Sequence, residues 1–100
     1  MKLFWTDTAK QDLLEIRRYI AVDNPNAANQ WVQRLRKRAR NALQAPHAGR
    51  RVPEISREDV RELIEGNYRI VYQVFADRLV ILTVYEGHQL FPAGKVGNSV

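Results

Sequence analysis

The segment 66–86 narrows most what this chain can fold into. It reads "GNYRIVYQVF", then "AD", then "RLVILTVYE". In residues 66–74, Tyr68, Ile70, Tyr72 and Val74 fall on one side and Arg69, Val71 and Gln73 on the other. That is the period of two of a strand. Both runs are rich in Val, Ile and Tyr, which suit a pleated surface. A tight connection between them predicts an antiparallel hairpin. "DVRELIEG", immediately upstream, reads as a further strand of mixed face. Such a sheet must bury its apolar side against something, and the first half of the chain supplies a partner.

"KLFW", residues 2–5, is a short strand candidate. Thr6 or Asp7 can cap the helix that follows by accepting a backbone N–H. Ala9, Leu13, Ile16 and Ile20 recur at spacings of four, three and four, one face of a helix that Leu14 and Tyr19 should reinforce. Asn24 is an N-cap for a second helix, and Pro25 stands where a missing N–H does no harm. Ala28, Trp31, Val32, Leu35, Ala39, Ala42 and Leu43 form its apolar face. Opposite them lie Arg34, Arg36, Lys37, Arg38 and Arg40. "QAPHAGRRVPEIS" breaks the helix and reads as a loop or a short edge strand.

The expected order is β-α-α-β-β-β. The fold class is α+β, with a helical hairpin packed on one face of a twisted antiparallel sheet. One hundred residues suit a single domain. We expect it to span residues 1–92, closed by "GHQLFP", with 93–100 a flexible tail. No apolar run approaches a membrane span, and "MKLFWTDTAK" lacks a secretory pattern. Cysteine is absent, which fits a cytoplasmic setting and leaves no thiolate ligand.

Charge is uneven. Residues 1–50 carry ten Lys/Arg against four Asp/Glu, a surplus of six; residues 51–100 carry six against seven. A basic half suits an acidic partner, either nucleic acid or protein. It equally suits a solvated helix face.

Candidate chemistry is sparse. The two histidines, His47 and His88, are far apart and have no acidic cluster at ligand spacing. Neither a nucleophile elbow nor a phosphate-binding glycine loop is present. The carboxylates Glu58, Asp59, Glu62 and Glu65 lie beside Arg57 and Arg61 and read as ion pairs. Metal-free RNA cleavage needs a base, an acid and a cation at the phosphate. Arg50, Arg51, Arg61, Arg69, Tyr72, Tyr85 and His88 are the available groups, and His88 alone titrates near neutrality when unperturbed.

The run Arg61-Glu62-Leu63, then Gly66, then Tyr68-Arg69-Ile70-Val71-Tyr72, leads into "LVILTVYEGH". Together with "TDTAKQDLLEIRRYIA" and "NPNAANQW", it resembles the RelE/ParE superfamily, toxins of bacterial type II toxin–antitoxin modules. The resemblance covers roughly residues 3–92 and is closer to ParE-like members. RelE-like toxins cut mRNA on the ribosome, whereas ParE-like toxins poison DNA gyrase. Arg69 stands where a phosphate-contacting arginine of the nucleases stands, and Arg61 replaces one of their basic strand residues. Glu62 and Glu65 would repel an RNA backbone. Glu86-Gly87-His88-Gln89 follows the last strand with no arginine, and no tyrosine follows Tyr85.

The resemblance therefore implies a toxin that inhibits DNA gyrase by binding and needs no cofactor. A cognate antitoxin, ParD-like or of another type II class, would neutralise it; growth arrest and plasmid stabilization are the implied effects. It further implies that Arg69 is a shared superfamily residue of the sheet face, paired with a neighbouring carboxylate or shaping the surface, and not a catalytic cation. Partner binding is expected through Trp31, Arg34, Arg36, Lys37, Arg38, Arg40, Arg69, Tyr85 and His88. Two alternatives are a ribosome-dependent mRNA endonuclease working through Arg61, Arg69 and His88, and a non-toxic antitoxin-binding module.

Overall fold

The computed structural model describes residues 1–96. Strand β1 (Lys2–Trp5) opens the chain and leads directly into helix α1 (Asp7–Ala21). Thr6 joins the two. Its hydroxyl accepts from the Ala9 N–H at 3.0 Å and donates to the Leu82 carbonyl at 3.1 Å. One side chain thus starts the helix and anchors it to the sheet. Asn24 caps helix α2 (Pro25–Asn41) by accepting from the Ala27 N–H at 3.0 Å. A 3-10 turn, Ala42–Gln44, ends the helical half. The strands follow: β2 (Arg50–Arg51), β3 (Val60–Glu65), β4 (Tyr68–Val74) and β5 (Arg78–Glu86), then a helical turn α3 (Ala93–Val96).

The described sheet has the strand order β1-β5-β4-β3-β2. β2 to β5 are antiparallel, as adjacent hairpin strands should be. β1 joins the far edge parallel to β5, with Lys2 opposite Arg78 and Trp5 opposite Ile81. The expected element order is therefore present, with the short edge strand β2 inserted and one parallel pairing added. Gly66 makes the tight β3–β4 turn possible. Its φ of +59° lies in the left-handed region. The Trp31 ring packs so closely on it that any Cβ would collide.

Both helices lie on one face. Leu13, Leu35 and Ala39 pack against Ile70, Tyr72, Leu79 and Ile81. The opposite face is also covered, which the single-face expectation did not include. Val52, Val60, Val71, Leu82, Tyr85 and Val96 form a second cluster there, with Ile55, Phe75 and Phe91 at its margin. This explains "LVILTV", which is buried at every position. A strand covered on both sides is apolar on both sides.

Two expectations change. Leu14 and Tyr19 do not reinforce the α1 face; they are 44% and 75% exposed. They lie outside the stripe set by Ala9, Leu13, Ile16 and Ile20, and Asp12 takes the inward place beside Leu13. The tail expected from residue 93 begins instead with α3, whose Val96 is buried in the second cluster. The remainder of that expectation, 97–100, lies outside the described residues.

Candidate functional site

Arg69 projects from the face away from the helices, directly opposite Tyr85 on β5. Beside it on β3 is Glu62, whose side chain is fully buried. Arg69 donates from Nε to Glu62 Oε1 at 2.7 Å and from Nη2 to Oε2 at 2.9 Å. Nη2 also donates to Oε1, and Arg50 donates from Nε to Oε2 at 2.7 Å. The outer nitrogens of Arg69 reach Glu54 at 3.1 and 3.2 Å. Its guanidinium carbon lies 5.2 Å from the Tyr85 ring centre and 5.9 Å from that of Phe91.

The electrostatics agree with this geometry. The hydrogen bond from Arg69 holds Glu54 below its ordinary carboxylate range. The same bond, with those to Glu62, raises Arg69 above its ordinary value. Burial pushes the Tyr85 phenol up to about 12, and its buried hydroxyl has no hydrogen-bond partner among the described residues. Arg50 and Arg69 face Glu54 and Glu62, so the cluster is neutral. A phosphate approaching Arg69 would have to displace carboxylates already bonded to it.

Arg61 is placed differently. It lies opposite Tyr72, on the helix side of the sheet. Its Nε donates to the Glu58 carbonyl at 3.0 Å, and Nη1 to the carbonyls of Gly49 at 3.1 Å and His47 at 3.3 Å. Nη2 reaches the Glu58 carboxylate at 3.1 Å, which Arg51 also engages at 2.9 Å. Arg61 thereby stitches the chain at 47–49 onto the sheet. Tyr72 does similar work, donating to the Pro46 carbonyl at 2.7 Å. Gly49 permits this approach; a Cβ there would strike the Tyr72 hydroxyl and come within 2.9 Å of the Glu62 carbonyl oxygen.

His88 is exposed in the turn after β5. The preceding Gly87 donates its N–H to the Asn67 carbonyl at 2.6 Å and packs beside the Arg69 stem. Arg69 and Arg61 thus occupy opposite faces, each held by other groups. His88 has no side-chain partner among the described residues.

The basic run on α2 divides in two. Arg34 pairs with Glu65 at 2.7 Å and stacks 4.0 Å from the Trp31 ring centre. Arg38 approaches the same carboxylate at 3.7 Å. Trp31 meets Tyr68 edge-on, with ring centres 5.3 Å apart. These residues tie α2 to the β3–β4 end of the sheet. Arg36, Lys37 and Arg40 have no ion-pair partner among the described residues.

Asp12 escaped the sequence reading. It is 4% exposed. Its carboxylate accepts from Thr83 Oγ1 at 2.6 Å, the Val84 N–H at 3.0 Å and Lys95 Nζ at 2.6 Å. The cause lies in the sheet. β1 pairs with β5 only as far as Ile81, and the β4–β5 register shifts beside Leu82. The outward Val84 N–H therefore needs an acceptor, and Asp12 supplies it. One signal was legible: Asp12 follows Ala9 by three residues and precedes Ile16 by four, on the apolar stripe.

Comparison with known proteins bears on the whole assembly. A comparison with curated proteins finds no match. Among solved structures, the chain is similar to one in the chromosomal ParDE toxin–antitoxin system from P. aeruginosa. Identity is 26%, with 86% of this chain and 95% of that chain covered at a TM-score of 0.72. It shares its fold with a chain of the RelBE2 toxin–antitoxin complex from Mycobacterium tuberculosis. There, identity is 22%, coverage 85% and 95%, and the TM-score 0.54. The family model for the ParE toxin of the type II toxin–antitoxin system parDE matches residues 3–91. With nearly its whole length matched, the chain belongs to the ParE toxin family of type II toxin–antitoxin systems.

Proposed function

We propose that this protein is a toxin that inhibits DNA gyrase by binding and is neutralised by a cognate antitoxin. The observation that carries this reading is the separation of Arg61 from Arg69. A metal-free nuclease needs its cation and proton-transfer groups around one phosphate. Here Arg61 faces the helices and is bonded to Glu58 and two loop carbonyls, while Arg69 faces away and is bonded to Glu54 and Glu62. Both arginines act as braces. ParE family membership supports the same direction, as does the likeness to a ParDE chain. An antitoxin partner follows from that family setting, and growth arrest in the cytoplasm is the expected outcome of gyrase inhibition.

The deciding experiment measures purified toxin in two assays run side by side. One follows gyrase supercoiling, and the other follows mRNA cleavage on ribosomes. Loss of supercoiling with intact mRNA is expected. Cleaved mRNA with normal supercoiling would overturn the gyrase reading. Arg69→Ala and His88→Ala should retain toxicity wherever the protein folds, because removal of a catalytic group typically lowers rates by about 10²–10⁴-fold, far more than loss of a rim contact.

A further inference from the structure

Strand β5 outruns its edge partner, since β1 pairs with it only as far as Ile81. Beyond that point α1, the start of β4 and the end of β5 enclose a pocket of about 320 Å³. Its charges run against those of the chain. Asp12, Glu15 and Glu86 line it against a single lining cation among the described residues, Lys95, in a chain of net charge +5. Asp12 has already taken Lys95 Nζ at 2.6 Å. Glu15 and Glu86 have no ion-pair partner among the described residues. Two carboxylates alone would be ordinary solvated surface; Tyr68 makes them more than that. It is 8% exposed and lines the pocket from β4. Its hydroxyl has no hydrogen-bond partner among the described residues. The unpartnered Tyr85 hydroxyl is sealed from solvent, whereas that of Tyr68 is not sealed and opens at the pocket. The strand register sets Tyr68 directly opposite Glu86, so both side chains stand on the helix side of the sheet. Burial first, then the neighbouring Glu86, pushes the Tyr68 phenol above its ordinary value, and it stays neutral. Tyr19, one turn after Glu15 on α1, lines the same pocket while remaining largely exposed.

We propose that this pocket binds an organic cation, an ammonium or guanidinium head carried on an alkyl stem. Glu15 and Glu86 supply the opposing charge, and the open hydroxyl of Tyr68 accepts an N–H from the head. Tyr19 and Tyr68 add aromatic ring surface, which attracts cations. Ile16 and Val84 offer the stem apolar contact. Lys95 shows the same chemistry within the chain, its ammonium resting on Asp12 at the pocket wall. A hard metal ion suits the lining poorly. It takes about six or more oxygen ligands, and no group of three acidic or histidine side chains among the described residues could hold one. Two sources carry the required head: a free alkyl diamine, and an arginine or lysine side chain of a polypeptide. The inference goes beyond the gyrase reading and does not depend on it, because neither Glu15 nor Glu86 enters that reading.

The test is an amide NMR titration of the full chain. 1,4-Diaminobutane stands for the free amine and N-acetylarginine methylamide for the side chain; 1,4-butanediol and N-acetylcitrulline methylamide are their neutral counterparts. The cations should bind with a Kd on the order of 1 mM and shift the amides of Glu15, Tyr68 and Glu86, while the neutral probes leave them in place. Glu15→Gln/Glu86→Gln should weaken binding about tenfold. Asp7→Asn/Asp23→Asn removes the same charge outside the pocket and should stay within about twofold of wild type. Tyr68→Phe keeps the ring, loses the acceptor and should weaken binding about threefold. Urea melts establish that each variant is folded. Saturation by the diamine alone assigns the site to free amines, and saturation by the arginine probe alone assigns it to a polypeptide side chain; either result, or both, upholds the pocket. Equal shifts with the neutral probes would overturn it, as would equal losses in the two carboxamide pairs. Absence of saturation by either cation below about 20 mM would do the same.

Discussion

The two faces of the sheet are closed by different means. On the helix side, Leu13, Leu35 and Ala39 meet Ile70, Tyr72 and Ile81 in a continuous apolar layer. On the other side, irregular chain at 52–55 and the 91–96 segment with its helical turn α3 cover a smaller cluster. Beside that cluster lies an ionic group built on the fully buried side chain of Glu62. Arginine has opposite fates in the two regions. Near the second cluster it is consumed by Glu54 and Glu62; at the helical edge Arg36 and Arg40 have no ion-pair partner among the described residues. An arginine-rich sequence therefore says little about where positive charge is available. The position of carboxylates in space decides that.

This contrast can be tested by perturbing each face. Leu35→Ala on the helix side should have the largest effect. Leu35 is fully buried, and truncation there should lower unfolding free energy by about 2–5 kcal/mol in urea titration. A smaller loss would mean the helices close over the cavity.

Arg69→Met probes the opposite face. It leaves buried Glu62 with only Arg50, whose side chain is 57% exposed. A loss of about 3 kcal/mol is expected. Adding Glu62→Leu to Arg69→Met should restore most of it, since an apolar pair of similar volume often matches a buried ion pair. If the double variant is worse than the single, Arg50 and Glu54 depend on the pair more than the geometry implies.

Thr6→Ala removes both the α1 cap and the bond to Leu82. About 1 kcal/mol should be lost, measured by the same titration. An equal loss from Asn24→Ala, whose cap reaches only Ala27, would mean that the Thr6 bond to the sheet contributes nothing beyond capping.

Acid should affect the two faces unequally, with the smallest effect of the four. Bonds from Arg69 and Arg57 hold Glu54 and Asp59 below their ordinary values of 4.5 and 3.8. Groups depressed on folding stabilise above the unfolded value, and that contribution disappears as pH falls through the folded one. Melting temperature should therefore decline below about pH 4.5. Arg69→Met should show a shallower decline than wild type, because Glu54 then has less to lose. An unchanged slope would assign acid sensitivity to other carboxylates.

Much of the helix side could be read from sequence. The caps Thr6 and Asn24, the stripe through Ala9, Leu13 and Ile16, and the alternation in 68–74 are local patterns set by helix and strand periods. Those periods hold whatever the rest of the chain does. The pairing of Arg69 with a carboxylate was legible as a type of contact, because Glu62 and Glu65 stand nearby in sequence. Its particular partners were not. Glu54 lies fifteen residues away, and only the return of the 50–55 segment along β3 brings it within reach.

Sequence alone determined the element order, the hairpin, the capping residues and the family resemblance, because each depends on neighbours within a few turns or on a contiguous motif. Tertiary structure decided everything that depends on which surfaces meet. It put Arg61 and Arg69 on opposite faces, drew Asp12 inward to the Val84 N–H, and covered the second face with Phe91 and Val96. It also gathered Glu15, Tyr68 and Glu86 around one pocket. The physical reason is the range of the forces involved. Backbone geometry and capping act over a few residues of chain. Ion pairing and burial act over a few ångströms of space, and only the folded chain sets which residues those ångströms separate.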